Sequence, residues 1–173
     1  TLGANYGIYG PAFEMCENVP IRAGSEENLD SEKYKIRCWN LDASHSLRPL
    51  ITRVNRIRRE NRALQRDWNL SFHPIDNEQM ICYSKKTENL DEIILVVVNL
   101  DPHHRHSGWL ELPLDEFGLE EGRPYQVHDL LSEARFLWSG SRNYVELDPQ
   151  VMPAHVFLVR RKVRSERYFD YYL

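Results

Sequence analysis

The sequence predicts a mainly β chain whose larger part is an antiparallel β-sandwich. After Asp67 the chain consists of short runs rich in β-branched and aromatic residues, and turn-forming residues separate these runs at near-regular intervals. Only the part before Asp67 shows apolar residues at helical spacing. Short strands joined by tight turns are typical of antiparallel sandwiches.

The chain opens on residues 1–10, which have the pattern of a strand inside a core and no initiator Met. A polar, turn-rich connection follows over residues 18–44, and loops of that length are usually functional or disordered. A helix is expected over residues 44–65, with Ser46 as its N-cap and Pro49 in its first turn. Its apolar face is formed by Leu47, Leu50, Ile51, Val54, Ile57 and Leu64.

Eight strands are expected after the helix. They are residues 70–73, 80–83, 93–99, 108–112, 125–128, 134–138, 144–147 and 156–159. Residues 93–98 are apolar on both faces, which predicts a central strand.

Composition excludes several classes of protein. The net charge of -4 argues against a nucleic-acid partner, because neutralising phosphates requires a basic surface. Three scattered cysteines without a Cys-x-x-Cys pair indicate neither a disulfide framework nor a zinc knuckle, and they favour a reduced, cytoplasmic setting. The longest apolar run, residues 93–98, is far shorter than the roughly 20 residues of a membrane span, so no membrane segment is expected.

Three motifs stand in a fixed order in the first part of the chain. They are Tyr6-Gly7-Ile8-Tyr9, then Leu29-Asp30-Ser31-Glu32-Lys33-Tyr34, then Arg58-Arg59-Glu60-Asn61-Arg62-Ala63-Leu64. Together they resemble the end of the catalytic barrel of the amylase superfamily and, more narrowly, the bacterial α-1,4-glucan:maltose-1-phosphate maltosyltransferases. The resemblance covers nearly the whole chain.

This resemblance implies a domain organisation. Residues 1–66 would be the last βα unit of a (β/α)8 barrel, containing the last strand, a donor-site loop and the last helix. Residues 67–162 would be the all-β, amylase-type C-terminal domain, and residues 163–173 an aromatic tail that packs on the surface, is disordered or docks a partner. A whole barrel needs roughly 250 residues, so we expect the chain to be a fragment of a longer enzyme.

The resemblance also implies a function. The full-length enzyme would move maltosyl from α-maltose 1-phosphate to α-1,4-glucan with net retention, as a cytoplasmic homodimer without a cofactor. A retaining mechanism uses two carboxylates, and these would lie in barrel segments before Thr1, so no catalytic residue is expected in this chain.

Lys33 and Tyr34 are the substrate-binding residues that the resemblance implies. The lysine would hydrogen-bond sugar hydroxyls, the tyrosine would offer its phenol and its ring face, and Asp30 and Glu32 could orient Lys33. The alternative is a solvated Glu32–Lys33 pair beside a Tyr34 that packs on the barrel rim. Near the end of the opening strand, Tyr9, Gly10 and Glu14 echo an amylase signature at an unusual spacing, which favours a structural anchor at Glu14.

Other candidate residues lie in the β region. His103-His104-Arg105-His106 has the residue type of a zinc site but no ligand spacing, which favours a solvated hairpin tip and no metal. Trp109, Trp138 and Tyr125 are either core residues or a sugar-stacking platform. His128-Asp129 is expected to serve a turn. Two rival functions remain open: a non-catalytic carbohydrate-binding sandwich that uses Trp109 and Trp138, and a purely structural interaction domain.

Overall fold

The computed structural model describes residues 1–30 and 36–160. The chain divides into two compact units, one formed by residues 5–57 and the other by residues 1–4 together with the residues from 58 on. The helices are α1 (Gly10–Glu14), α2 (Arg48–Glu60), a 3₁₀ turn (Arg62–Gln65) and α3 (Leu114–Phe117).

No strand precedes Leu70 among the residues that the structure describes, so the strand expected at the start of the chain is not formed there. An extended segment becomes a strand only when a neighbouring segment pairs with its backbone groups. Within the unit of residues 5–57, the only described β pairing is an isolated bridge between Pro20 and Asn28. Residues 5–9 are therefore irregular, and α1 follows them directly.

Helix α2 is shorter than expected at both ends. It begins at Arg48, whose N–H donates to the Ser46 hydroxyl at 3.2 Å, and Pro49 lies in its first turn as predicted. At the other end the Gln65 amide donates to the carbonyls of Arg58 and Arg59, which satisfies backbone acceptors that the helix leaves open. Leu64, which the apolar spacing assigned to the helix, lies in the 3₁₀ turn, fully buried.

All eight predicted strands are present. They are β1 (Leu70–His73), β2 (Met80–Lys86), β3 (Ile93–Asn99), β4 (His106–Glu111), β5 (Pro124–Asp129), β6 (Arg135–Ser139), β7 (Arg142–Leu147) and β8 (Ala154–Arg160). Six of them form one antiparallel sheet in the order β1-β2-β3-β8-β5-β6, and β4 pairs with β7 in a separate two-stranded ribbon. Strand β3 lies inside the large sheet, as its apolar sequence predicted.

The core lies between the inner face of the large sheet and the ribbon. It includes Leu95 and Val97 from β3 and Leu110, Val145 and Leu147 from the ribbon, all buried. On the opposite face of β3, Ile94 and Val96 are also buried, and the 3₁₀ turn packs against β2 and β3. Burial of both faces explains why β3 is a continuous apolar run.

A buried lysine ties the large sheet to the segment that precedes it. The Lys85 side chain on β2 is fully buried, and its ammonium donates to the Arg66 carbonyl at 2.7 Å and lies 3.5 Å from the Asp67 carboxylate. The same carboxylate accepts the Ala4 N–H. A buried charge is tolerated only when it is paired and hydrogen-bonded, so Lys85 fixes where the chain enters the sheet.

None of the described helices is both long and apolar enough to cross a membrane.

Replacing Leu110 with alanine should test the assignment of the ribbon's two faces. Leu110 is fully buried, so Leu110→Ala is expected to lower the free energy of unfolding by about 2–5 kcal/mol. The adjacent Trp109 points to the opposite face, and Trp109→Ala is expected to cost less than about 1 kcal/mol. Urea denaturation of both variants measures the difference, and equal losses would contradict the assignment.

Candidate functional site

The predicted donor residues Lys33 and Tyr34, with Glu32, lie outside the described residues. The structure describes what surrounds them in the chain, up to Asp30 on one side and from Ile36 on the other.

Glu17 connects the two flanks of that segment. Its carboxylate accepts from the Arg37 guanidinium at 3.3 Å, and its backbone carbonyl accepts from the Asn28 amide at 3.3 Å. Its own N–H donates to the Ala12 carbonyl of α1 at 2.9 Å. One residue thus links α1, the segment before residue 31 and the segment after residue 35.

The flank before residue 31 is a compact hairpin. The Leu29 N–H donates to the Val19 carbonyl at 2.7 Å, and the Ile21 N–H donates to the Glu27 carbonyl at 2.9 Å. On the other flank, the Arg37 guanidinium lies 4.4 Å from the ring centre of Trp39, in cation–π contact. Both flanks of the predicted donor loop are therefore held by specific contacts.

The amylase-like residues Tyr9, Gly10 and Glu14 lie at α1. Gly10 has φ of 46°, a left-handed conformation that glycine adopts without a steric penalty. The Glu14 backbone carbonyl accepts from the Leu47 N–H at 2.7 Å, just before α2. This main-chain bond draws the two ends of the long connection together, and the anchor role of the Glu14 side chain stays a prediction.

The histidine run forms an organised loop around Asp101. The Asp101 carboxylate accepts from the N–H of His103 at 2.8 Å, from His104 Nδ1 at 2.8 Å and from His106 Nε2 at 3.1 Å. These hydrogen bonds, first that of the His103 N–H and then those of His104 and His106, hold the pKa of Asp101 far below its usual range. Within residues 1–30 and 36–160, no cluster of His, Cys, Asp or Glu could hold a metal ion.

The three aromatic candidates have different environments. Tyr125 is buried in the core, donates to the Gly140 carbonyl at 3.0 Å and accepts from the Asn143 amide at 2.9 Å; burial raises its pKa to about 12. Trp138 is partly buried and packs edge-on against Phe157, with ring centres 5.2 Å apart. Trp109 alone of the three is strongly exposed, at 45%. A shared platform of all three rings is therefore excluded.

His128-Asp129 builds the β5–β6 turn, as its sequence indicated. Asp129 is fully buried and accepts from the N–H groups of Leu131 and Val156, from the Ser132 hydroxyl and from His155 Nδ1 at 2.9 Å. Burial alone would raise the pKa of Asp129, but the hydrogen bonds from His155, Ser132 and the backbone outweigh it and lower the pKa to about 2. His128 Nε2 pairs with Glu133 at 2.8 Å across the same turn.

The sequence did not indicate three residues whose contacts shape the candidate sites in the structure. Glu17 and Arg37 are separated by the whole hairpin, and nothing local in the sequence signals their pairing. Tyr144 lies opposite Trp109 in the β4–β7 register, and only the pairing of these two distant strands brings the rings together. The alternation of side chains in β7 predicts that Tyr144 is exposed, but it does not predict that Trp109 is its neighbour.

A family model described as GLGE, C-terminal matches residues 72–159, just over half of the chain. The chain belongs to this family. The match begins within β1 and ends within β8, so it covers nearly the whole β region.

Curated relatives extend the match to the N-terminal part. The chain is 47% identical over 165 residues to an α-1,4-glucan:maltose-1-phosphate maltosyltransferase of Chlorobaculum tepidum, which covers 92% of this chain and 24% of that protein. It is 42% identical over 157 residues to the enzyme of the same name from Methylacidiphilum infernorum, covering 91% of this chain and 23% of that protein. The chain thus spans about a quarter of the length of these relatives.

Solved structures of amylases share the fold. An α-amylase from Geobacillus thermoleovorans aligns with a TM-score of 0.57 at 15% identity, over 79% of this chain and 27% of its own. An Anoxybacillus α-amylase aligns with a TM-score of 0.55 at 15% identity, over 79% of this chain and 26% of its own. With the antiparallel sheets, this likeness confirms the mainly β, amylase-type fold; the division into residues 1–66, 67–162 and 163–173 stays a prediction.

The low pKa of Asp129 predicts a loss of stability in acid. Its pKa of about 2 lies below the value of about 3.9 for an unfolded aspartate, so the carboxylate stabilises the fold above pH 3.9 by a few kcal/mol. This contribution is lost as the pH falls from about 5 to about 2. Asp129→Asn should lower the free energy of unfolding at pH 7 by about that amount and flatten its decline in acid.

Urea denaturation between pH 7 and pH 3 measures both effects. Glu88→Gln, at an exposed carboxylate, is the matched control and should follow the wild-type curve. Parallel curves for wild type and Asp129→Asn would show that Asp129 does not have the lowered pKa.

Proposed function

We propose that this chain is the C-terminal part of a retaining maltosyltransferase. The full-length enzyme moves maltosyl from α-maltose 1-phosphate to the end of an α-1,4-glucan and releases phosphate, in the service of glycogen or α-glucan synthesis. The observation that carries the proposal is the similarity to maltosyltransferases over 92% of the chain, because it includes residues of both structural units.

The unit of residues 5–57 supplies one wall of the donor site in this proposal. In a barrel enzyme the substrate meets loops at the C-terminal ends of the strands, and in the full-length enzyme the long connection between residues 18 and 44 would be such a loop. The Glu17–Arg37 pair and the Glu14–Leu47 bond support this role, because they anchor the flanks of the segment that contains Lys33 and Tyr34. Lys33 would donate hydrogen bonds to sugar hydroxyls, and Tyr34 would offer its phenol and ring.

The chain contributes no catalytic carboxylate in this proposal. A retaining enzyme needs a nucleophile and an acid/base about 5 Å apart across the glycosidic bond. The motifs that this chain shares with the amylase superfamily belong to the last βα unit, and the nucleophile and the acid/base are assigned to earlier barrel strands. No cofactor is required, because the carboxylates and the phosphate leaving group account for the chemistry.

The remaining parts of the proposal concern the setting of the enzyme. The free thiols of Cys16, Cys38 and Cys82 support a cytoplasmic location, since disulfides are rare there. We also propose that the full-length enzyme is a homodimer, which light scattering of the purified enzyme would test. The rival function, a carbohydrate-binding sandwich, is favoured by one observation, the exposed ring of Trp109.

The 173-residue chain alone should show no maltosyl transfer. Without the two carboxylates the transition state is not stabilised, whatever the chain binds. Phosphate release from α-maltose 1-phosphate in the presence of glycogen measures the activity, with the full-length enzyme as the positive control. Release by the isolated chain above a protein-free blank would refute the assignment of catalysis to the missing barrel strands.

In the full-length enzyme, Lys33→Ala and Tyr34→Phe should lower kcat/KM for α-maltose 1-phosphate. For Lys33→Ala, a lost hydrogen bond to a charged group costs about 1.5–3 kcal/mol, which corresponds to about ten- to a hundred-fold in rate. For Tyr34→Phe, a lost neutral hydrogen bond costs about 0.5–1.5 kcal/mol, or about two- to ten-fold. The melting temperature should change little, because such a loss falls on sugar binding and not on the core.

His103→Ala and His104→Ala are the controls, since their loop is built around Asp101 and has no assigned part in the reaction. Both should retain wild-type kcat/KM. Full activity of Lys33→Ala together with a loss in the histidine variants would overturn the donor-loop assignment.

A further inference from the structure

The outer face of the β4–β7 ribbon presents a pair of exposed aromatic rings. Trp109 and Tyr144 lie opposite each other in the strand register, with ring centres 5.5 Å apart and ring planes at 61°. Their exposed fractions are 45% and 49%, although both belong to regular strands. Because side chains alternate along a strand, both rings point away from the core that Leu110 and Val145 fill.

Polar side chains border these rings. The Arg142 guanidinium lies 5.1 Å from the Trp109 ring centre and 3.7 Å from the Asp76 carboxylate, and Glu111 pairs with Arg142 in the register. Beside Trp109 is a shallow cavity of about 230 Å³. Its lining residues are Pro74, Ile75, Asp76, Trp109, Glu111 and Arg142.

At Trp109, the edge of β4 that does not pair with β7 is hydrogen-bonded to Asp76. The Trp109 N–H donates to the Asp76 carboxylate at 2.6 Å, and the Asp76 N–H donates to the Trp109 carbonyl at 3.2 Å. Trp109 is also paired with Tyr144 across the ribbon. A ligand therefore meets a preformed surface, and little ordering of the protein opposes binding.

The composition of the face decides which ligand it suits. Besides the two rings, the outward positions of the ribbon are Ser107, Glu111, Arg142 and Glu146, and none of these is aliphatic. The buried centre of a protein interface is more apolar than the rest of the surface, whereas on this face the two rings are the only apolar side chains at outward positions and charged residues adjoin them. A nucleic acid would require an excess of cations, whereas Arg142 is balanced by Asp76 and Glu111.

A sugar ring matches both components of the face. Its C–H groups pack against an aromatic ring, and its hydroxyls pair with planar guanidinium and carboxylate groups at the border. We propose that this outer face, formed by Trp109, Tyr144, Arg142 and Glu111, binds an α-1,4-linked glucan chain in addition to the donor contacts. The choice of α-glucan among carbohydrates rests on the function proposed above.

The test compares polymeric with short acceptors in the full-length enzyme that contains this chain. Trp109→Ala and Tyr144→Ala should each weaken retention by glycogen in affinity electrophoresis about tenfold, as expected for the loss of an aromatic anchor. The ratio of kcat/KM for glycogen to that for a short α-1,4-oligosaccharide should fall by a similar factor. Trp68→Ala is the matched control, because Trp68 is 62% exposed, belongs to the same structural unit and lies outside the ribbon, and it should keep the wild-type retention and ratio.

The outcomes separate this proposal from the proposed function. Wild-type retention and an unchanged acceptor ratio in both ribbon variants would overturn the glucan face while leaving maltosyl transfer intact. A change of oligomeric state in Trp109→Ala, measured by light scattering with retention unchanged, would show that the face is a subunit contact and would also overturn it. Absence of phosphate release by the wild-type enzyme would refute the proposed function, whereas glycogen retention that depends on Trp109 would still support the face.

Discussion

A two-stranded antiparallel ribbon is at best marginally stable in water, so the β4–β7 ribbon depends on burying its inner face against the six-stranded sheet. Leu110, Val145 and Leu147 are the ribbon's buried apolar side chains, and they belong to the same core as Leu95 and Val97 of β3. Because side chains alternate along a strand, the residues next to these buried ones must lie on the outer face. The burial of Leu110 is therefore what aims the neighbouring Trp109 at solvent.

Buried polar groups select one register for the packing of the β4–β7 ribbon on the six-stranded sheet. The Asn99 amide at the end of β3 donates to the carbonyls of His104 and Leu147, which lie beside β4 and at the end of β7. At the opposite end of the ribbon, the phenol of Tyr125 on β5 bonds to Gly140 and Asn143. A shift by one residue would leave these groups unpaired inside the protein and would turn the apolar face to water. Apolar burial supplies the stability, and these bonds select one arrangement.

The sequence predicted the strands well because each is signalled locally, by β-branched and aromatic residues between turns. The end of α2 was less predictable: Leu64 continues the helical spacing, but it is buried through a separate 3₁₀ turn that packs on β2 and β3. The pairing of β4 with β7 joins residues far apart in the chain, so no local pattern reports it. For the same reason the sequence grouped Trp109 with Tyr125 and Trp138, whereas the structure separates an exposed ring from a buried one and a half-buried one.

The candidate donor loop shows a related division between local and long-range information. Its motif was recognisable from consecutive residues, but the contacts that anchor its flanks join residues that are distant in sequence, Glu14 with Leu47 and Glu17 with Arg37. Each such contact divides a long connection into shorter closed segments. Because the entropic cost of closing a loop increases with its length, each shorter segment costs less to close. In the proposed function, these contacts would hold both flanks of the loop in place when a sugar binds Lys33 and Tyr34. The loop contacts and the rigid ribbon face would then serve binding in the same way, because both reduce the conformational entropy that is lost when a carbohydrate binds.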